Sequence, residues 1–209
     1  MKLAWVLGWA VPEDWFRPFA KALLPEARHV IVSASTAALA QLEAAGPFDW
    51  VIGYSLGSLL LLGEADRASR LGRVALLAPI FSFPREANLG GRVAGAQVRQ
   101  LARWLRREPE AALADFYRRA GLEVPAAAAK VLELETLLWG LERLEKDRVA
   151  PPLPIGWLAW CGAEDALLDA ARLQAIEPRV TLVNGATHHP QELIFELMKS
   201  ISKTASAAS

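Results

Sequence analysis

The sequence is poor in the residues that commit a protein to disulfide, metal or redox chemistry. Cysteine occurs once, at Cys161, which excludes an internal disulfide and a multi-cysteine metal cluster and suits a reducing compartment such as the cytoplasm. Three histidines, His29, His188 and His189, are too few for a histidine-rich zinc site. Charge of one sign is also missing: 23 Lys and Arg stand against 23 Asp and Glu, so no global field draws the chain to nucleic acid or to an anionic membrane. No apolar run approaches the roughly 20 residues that cross a bilayer. The opening "MKLAWVLGWAVPEDW" has a lysine and an apolar stretch, but it lacks a small-residue cleavage site and runs into Glu13 and Asp14. A first core strand is expected there. The last seven residues, "KTASAAS" (203–209), are expected to fray.

What is present is enough apolar residue for one sizeable core: 53% of 209 residues are hydrophobic, and that length fits a single domain. Six short apolar runs recur: "LAWVLG" (3–8), "HVIVS" (29–33), "DWVIGY" (49–54), "RVALLAP" (73–79), "IGWLAWCG" (155–162) and "RVTLVNG" (179–185). They lack strict alternation and several end at Gly or Pro, which predicts strands covered on both faces in a parallel sheet. Helical patterns separate them, over 15–24, 36–45, 56–70, 167–175 and 191–201. The reading is an α/β fold with a mostly parallel sheet of about six strands and helices on both faces.

One interval departs from that rhythm. Between Leu77 and Ile155 lie about seventy residues with hardly any strand character, far beyond an ordinary α/β loop. Residues 85–149 are therefore expected to form an inserted helical lid, with 1–84 and 150–209 as the core. Within the insertion, "QVRQLARWLRRE" sets Leu101, Trp104 and Leu105 on one side and Arg99, Arg103, Arg106 and Arg107 on the other. Pro109 breaks that helix. The next pattern presents Leu113, Phe116, Tyr117 and Ala120 and stops at Gly121. A third, from Lys130 to Asp147, is expected to present Val131, Leu134, Leu138 and Leu141.

The stretch "VIGYSLG" (51–57) ends a buried strand on a serine held between glycines and leads directly into a helix. G-x-S-x-G at a strand-to-helix junction lifts a serine Oγ above the sheet and directs helix N–H groups toward developing negative charge. That makes Ser55 a candidate nucleophile; the bland alternative is a glycine-tightened turn. A nucleophilic serine needs a base, and "NGATHHP" (184–190) puts His188 and His189 just past the last strand, with His188 favoured and His189 the packing or solvated residue. The base needs an orienting acid. "CGAEDALLD" (161–169) follows the preceding strand; Asp165 is best placed, with Glu164 and Asp169 as alternatives. An oxyanion needs two N–H donors. Leu56 follows the nucleophile, and in "LGWAVPEDW" Gly8 allows a turn that points the Trp9 N–H inward.

With these residues in place the sequence resembles the α/β-hydrolases, and within them the pimeloyl-acyl-carrier-protein methyl ester esterases of biotin synthesis. The signs are "GWA" followed by Trp15, "GYSLG" at the serine, the helical insertion, "WGLERLEKDRVAPPLPIGWLAWCGAEDAL" and "GATHHP". Leu7 stands where a His commonly precedes Gly-Trp, and Ala10 replaces a second Gly. The resemblance implies Ser55, Asp165 and His188 as catalytic residues, Trp9 and Leu56 as oxyanion donors, ester hydrolysis as the reaction, and no metal or organic cofactor. It also implies an acyl pocket roofed by Trp104, Phe116, Leu138 and Trp139, for which helix packing is the plainer account. Arg99, Arg103, Arg106 and Arg107 would then meet an acyl-carrier protein, though a solvated charged face explains them equally well. The competing expectations are a general short-chain carboxylesterase or thioesterase, and a non-catalytic binding protein on the same fold.

Overall fold

A computed structural model of the chain describes residues 1–206, with side chains described through residue 201. The elements alternate as β1 (Lys2–Val6), α1 (Glu13–Leu23), β2 (Arg28–Val32), α2 (Ala38–Ala45), β3 (Trp50–Tyr54), α3 (Leu56–Gly63), α4 (Ala65–Leu71) and β4 (Arg73–Leu77). Four helices follow without a strand: α5 (Gly95–Arg107), α6 (Pro109–Ala120), α7 (Ala126–Ala129) and α8 (Leu134–Lys146). The chain then completes β5 (Leu158–Gly162), α9 (Ala170–Ile176), β6 (Val180–Val183) and α10 (Pro190–Ser206).

The strands form one sheet in the order β2-β1-β3-β4-β5-β6, every neighbouring pair parallel. β3 is buried along its whole length and β4 along all but Arg73, so an unbroken apolar run suits each, whereas the edge strands β2 and β6 are only partly covered. Helices α1 and α10 pack on each other, and α4 packs on α2 and α3. The chain leaves β1 for one edge and returns to β3 on its other side, so order reverses between β1 and β3. A crevice opens at such a reversal, outside the C-terminal ends of the strands. Among the described residues no helix is long and apolar enough to cross a membrane.

Three local expectations need correction. The single helix expected over 56–70 is two, because Glu64 leaves the helical region (φ −125°, ψ 41°) after Gly63, and its N–H turns back to Leu61 O. The face expected of the third insertion helix is rotated. α8 starts only at Leu134 and buries Leu137, Gly140, Leu141 and Leu144, while Val131 precedes it at 70% exposure and Leu134 faces out. The frayed tail is helical as far as Ser206, since α10 continues through it; residues 207–209 lie outside the described residues.

The helical segment between β4 and β5 re-enters the sheet through a charged anchor. Glu177, almost fully buried after α9, accepts from Leu153 N–H at 2.6 Å and from Arg179 Nη2 at 2.8 Å, and Arg179 Nη1 reaches Pro154 O at 3.2 Å. The Arg179 guanidinium pulls the Glu177 carboxyl down to about 2 against the opposing effect of burial, with the N–H bonds of Leu153 and Arg179 adding to the fall. A carboxylate held below its unfolded value stabilises the fold above that value and loses the contribution as pH falls through the folded one. Thermal melting of Glu177→Gln should therefore lie a few degrees below the native protein at pH 7, and the gap should close as pH falls from about 4.5 toward about 2. A gap unchanged with pH would show that the ionised carboxylate is not what holds the joint.

Candidate active site

The turn that carries Ser55 follows from two contacts that only glycine permits. A Cβ on Gly57 would lie 2.0 Å from Val6 O, and one on Gly53 would lie 2.8 Å from Ser58 Cα. With those hydrogens in place the N-terminus of α3 sits directly against the end of β1. Ser55 takes φ 53° and ψ −116°, a region that L-residues avoid. Its backbone is tied on both sides: Ser55 N–H donates to Leu77 O at 2.9 Å, and Ser58 Oγ donates to Ser55 O at 2.6 Å. Ser58 Oγ in turn accepts from Ile80 N–H at 2.9 Å, so the turn is fastened to the loop after β4.

The loops after β5 and β6 deliver a carboxylate and an imidazole to this serine. Ala163 N–H donates to Val183 O at 3.0 Å and Glu164 N–H to Ala186 O at 2.9 Å, lacing the two loops together. His188 Nε2 stands 3.0 Å from Ser55 Oγ, and His188 Nδ1 stands 2.7 Å from Asp165 Oδ2. Both His188 and Asp165 are buried. The other carboxylate oxygen, Oδ1, accepts from the N–H groups of Leu167 at 2.8 Å and Leu168 at 3.0 Å. Burial raises the Asp165 pKa, but the charge and hydrogen bond of His188 and those two N–H groups outweigh it, and the carboxyl ends below its ordinary value. An ionised Asp165 only accepts, so Nδ1 carries the proton and Nε2 keeps the lone pair that faces the Ser55 hydroxyl.

Further contacts fix the imidazole and its acid. Tyr54 OH donates to the His188 carbonyl at 2.8 Å, and burial first, with the Asp165 charge second, pushes the Tyr54 phenol far up, so it remains a neutral donor. Arg92 Nη1 donates to the Asp165 carbonyl at 3.0 Å. Neither residue is flagged by the sequence. Tyr54 at least occupies a variable position of the motif; Arg92 gives no signal at all.

The alternatives fall elsewhere. Glu164 is exposed, and Asp169 caps α9 by accepting from Arg172 N–H at 3.0 Å. His189 points away into the edges of Trp15 and Phe19, with centroids 5.6 and 5.1 Å away, where burial lowers its pKa. His29 accepts from Trp5 Nε1 at 3.0 Å and pairs with Leu24 O at 2.9 Å, bracing β1 against β2.

The turn after β1 flanks Ser55: a Cβ on Gly8 would lie 3.1 Å from Ser55 Cβ. Among the described residues the Trp9 backbone N–H has no protein acceptor, and Leu56, as the first residue of α3, has none within its helix. Two N–H donors thus border the serine.

A cavity of about 370 Å³ opens beside Trp9. Its apolar wall includes Leu101, Trp104, Phe116 and Leu167, and its polar wall includes Arg92 and Arg119. Of the four residues expected to roof an acyl pocket, Trp104 and Phe116 lie here, with the Phe116 ring edge-on to Trp9 at 4.5 Å. Leu138 and Trp139 do not line it. Trp139 lines a separate groove with Leu39 and Leu60, because the 137/141/144 side of α8 faces the cavity and the core, and 138 and 139 lie on the helix's other sides. Arg103, Arg106 and Arg107 are exposed on α5, and Arg99 pairs with Glu145 Oε1 on α8 at 2.9 Å. Among the described residues no group of three His, Cys, Asp or Glu is placed to hold a metal ion.

No family model matches the sequence, and no curated protein matches it significantly. Solved structures do resemble it. An esterase, EaEST, from Exiguobacterium antarcticum superposes with a TM-score of 0.73 at 13% identity, covering 100% of this chain and 91% of its own. The RedJ thioesterase of the prodiginine pathway in Streptomyces coelicolor gives 0.61 at 18% identity, covering 97% and 84%. The bottromycin epimerase BotH gives 0.64 at 18% identity, covering 97% and 90%. An esterase, a thioesterase and an epimerase on one scaffold show that the scaffold alone does not choose the reaction. A six-stranded parallel sheet, the strand-to-helix serine turn and these superpositions establish that the chain has the α/β-hydrolase fold.

Proposed function

We propose that this chain is a serine hydrolase of carboxylic esters and that its substrate is the methyl ester of a pimeloyl group carried on acyl-carrier protein. The hydrogen-bond chain from Ser55 Oγ through His188 to Asp165, at 3.0 and 2.7 Å, carries the first part of this reading. In the reaction Ser55 Oγ attacks the ester carbonyl while its proton passes to His188 Nε2, and the ionised Asp165 stabilises the imidazolium. The tetrahedral oxyanion lies toward the N–H groups of Trp9 and Leu56. His188 returns the proton to the departing alkoxide, which leaves as methanol. A water molecule, deprotonated by His188, then attacks the acyl-serine and frees the acid and Ser55.

The resemblance of "GWA", "GYSLG" and "GATHHP" to the biotin-pathway esterases supports the finer substrate assignment. The cavity beside Trp9 suits an acyl chain, with Trp104 and Phe116 as wall residues. The exposed face of Arg103, Arg106 and Arg107 suits an acidic carrier protein, with Arg99 at its edge in an existing ion pair. A cytoplasmic setting goes with this role and is supported by the single, buried Cys161.

Labelling with a fluorophosphonate should modify the native protein and spare Ser55→Ala; equal labelling of both would leave a binding protein on this fold as the better account. Asp165→Asn should cut kcat on an aryl ester by about 10³- to 10⁴-fold, because an amide facing Nδ1 favours the wrong tautomer. A loss under tenfold would remove Asp165 from the assignment. Expression in a biotin auxotroph that lacks its own esterase should restore growth, whereas fast turnover of short aryl esters or thioesters without rescue would favour the generalist reading.

A further inference from the structure

The turn that borders Ser55 carries alanine where its geometry favours glycine. Val11 N–H closes the turn onto Gly8 O at 3.4 Å, and Ala10, at the third position, has φ 56°. Positive φ at that position is ordinary for glycine and strained for a residue with a Cβ. Such strain persists only where the surroundings over-determine it. Here the surroundings come from the helical insertion. Tyr117, on α6, donates its hydroxyl to Ala10 O at 2.7 Å across a separation of 107 residues. Both residues are 5% exposed, so water does not readily replace a lost bond. The neighbouring Trp9 is held by the same insertion: its Nε1 donates to Leu137 O of α8 at 2.7 Å.

We propose that Tyr117 is a positioning residue for the oxyanion turn, its hydroxyl holding the Ala10 carbonyl so that alanine stays at positive φ and the Trp9 N–H keeps its aim beside Ser55. The consequence for rate rests on the serine-hydrolase reading; the coupling between Tyr117 and Ala10 does not. The phenol is suited to the task, because burial pushes its pKa well up and leaves it a neutral donor. The ring needs no hydroxyl to stay in place, since Tyr117 is part of the core cluster.

The experiment is a double-mutant cycle of Tyr117→Phe and Ala10→Gly, read with p-nitrophenyl butyrate and by thermal melting. In the native background Tyr117→Phe should lower kcat about ten- to a hundredfold and leave KM within about twofold, because a displaced donor fails the oxyanion more than the ground state. In the Ala10→Gly background the same substitution should cost about twofold or less, since glycine holds positive φ unaided. An unchanged kcat in Tyr117→Phe, or an equal loss in both backgrounds, would overturn the proposal. If the native protein neither turns over the ester nor reacts with a fluorophosphonate, the hydrolase reading has failed, and melting then decides the coupling. Tyr117→Phe should lower the melting temperature less in the glycine background than in the alanine one; equal losses would refute it. Should Tyr117→Phe alone be insoluble, recovery of soluble protein on adding Ala10→Gly supports the coupling, and no recovery overturns it.

Discussion

The site depends on one close approach: the first turn of α3 lies against the last carbonyl of β1. With the Gly57 Cα so near Val6 O that a methyl group would fall at 2.0 Å, helix and strand meet at a separation that no other residue allows. The chain can reach α3 from β3 only through a tight reversal, and Ser55 occupies it at φ 53°. The strain is localised and over-determined, held by the bonds to Leu77 O and from Ser58 Oγ. A serine so placed cannot relax into the helix or the strand, and its hydroxyl therefore stands above the sheet edge. The same approach brings the loop after β1 beside the serine, because the residues following Val6 have nowhere to go except over the start of α3.

Given that turn, the parallel sheet supplies the rest by register. Tyr54 pairs with Leu77 and Leu77 with Trp160, so the C-terminal ends of β3, β4 and β5 finish at one edge, and β6 joins through Gly162 and Val183. Every loop at that edge starts within reach of the others. Asp165 and His188 sit three and five residues beyond their strands, and the bonds lacing Ala163 to Val183 and Glu164 to Ala186 hold the two loops as a unit. Electrostatics then fits the carboxylate to its place. Two backbone N–H groups on Oδ1 and the imidazole on Oδ2 keep Asp165 ionised despite complete burial.

The parts legible in the sequence are those set by short-range pattern. Six apolar runs form six strands because the sheet needs apolar residues along its buried central strands and at the covered positions of its edges, and the Gly-flanked serine is legible because the two glycines that the close contacts demand lie within five residues of sequence. Ambiguity begins where choice depends on direction. In "CGAEDALLD" three carboxylates lie within one loop, and spacing does not tell which faces inward; the fold turns Asp165 under His188, sends Glu164 to solvent and makes Asp169 a helix cap. Helix α8 illustrates a longer-range effect. Its apolar residues fit more than one stripe, and docking on Trp9 selects the stripe containing Gly140, where a Cβ would come within 2.5 Å of the indole. That selection takes Leu138 and Trp139 away from the cavity. The burial of Tyr117 on α6 is legible from the apolar spacing, but its bond to Ala10 O and that of Arg92 to Asp165 O are not, because a single polar side chain meeting a distant backbone carbonyl leaves no periodicity.

These long-range bonds give the helices between β4 and β5 a second structural task. Phe116 of α6 and Leu141 of α8 wall the cavity beside Trp104 of α5, and α6 and α8 also hold the turn after β1 through Tyr117 and the Leu137 carbonyl. Cover and turn therefore cannot vary independently. A substitution that repacks α6 to change the cavity also moves the donor on Ala10 O, and a shift of α8 moves the acceptor of the Trp9 indole. A replacement of Ala10 by glycine would uncouple them, since the turn would then keep its shape without outside help. The presence of alanine makes the geometry around Ser55 conditional on α6 and α8 being docked, so a change in the cavity wall is felt at the turn.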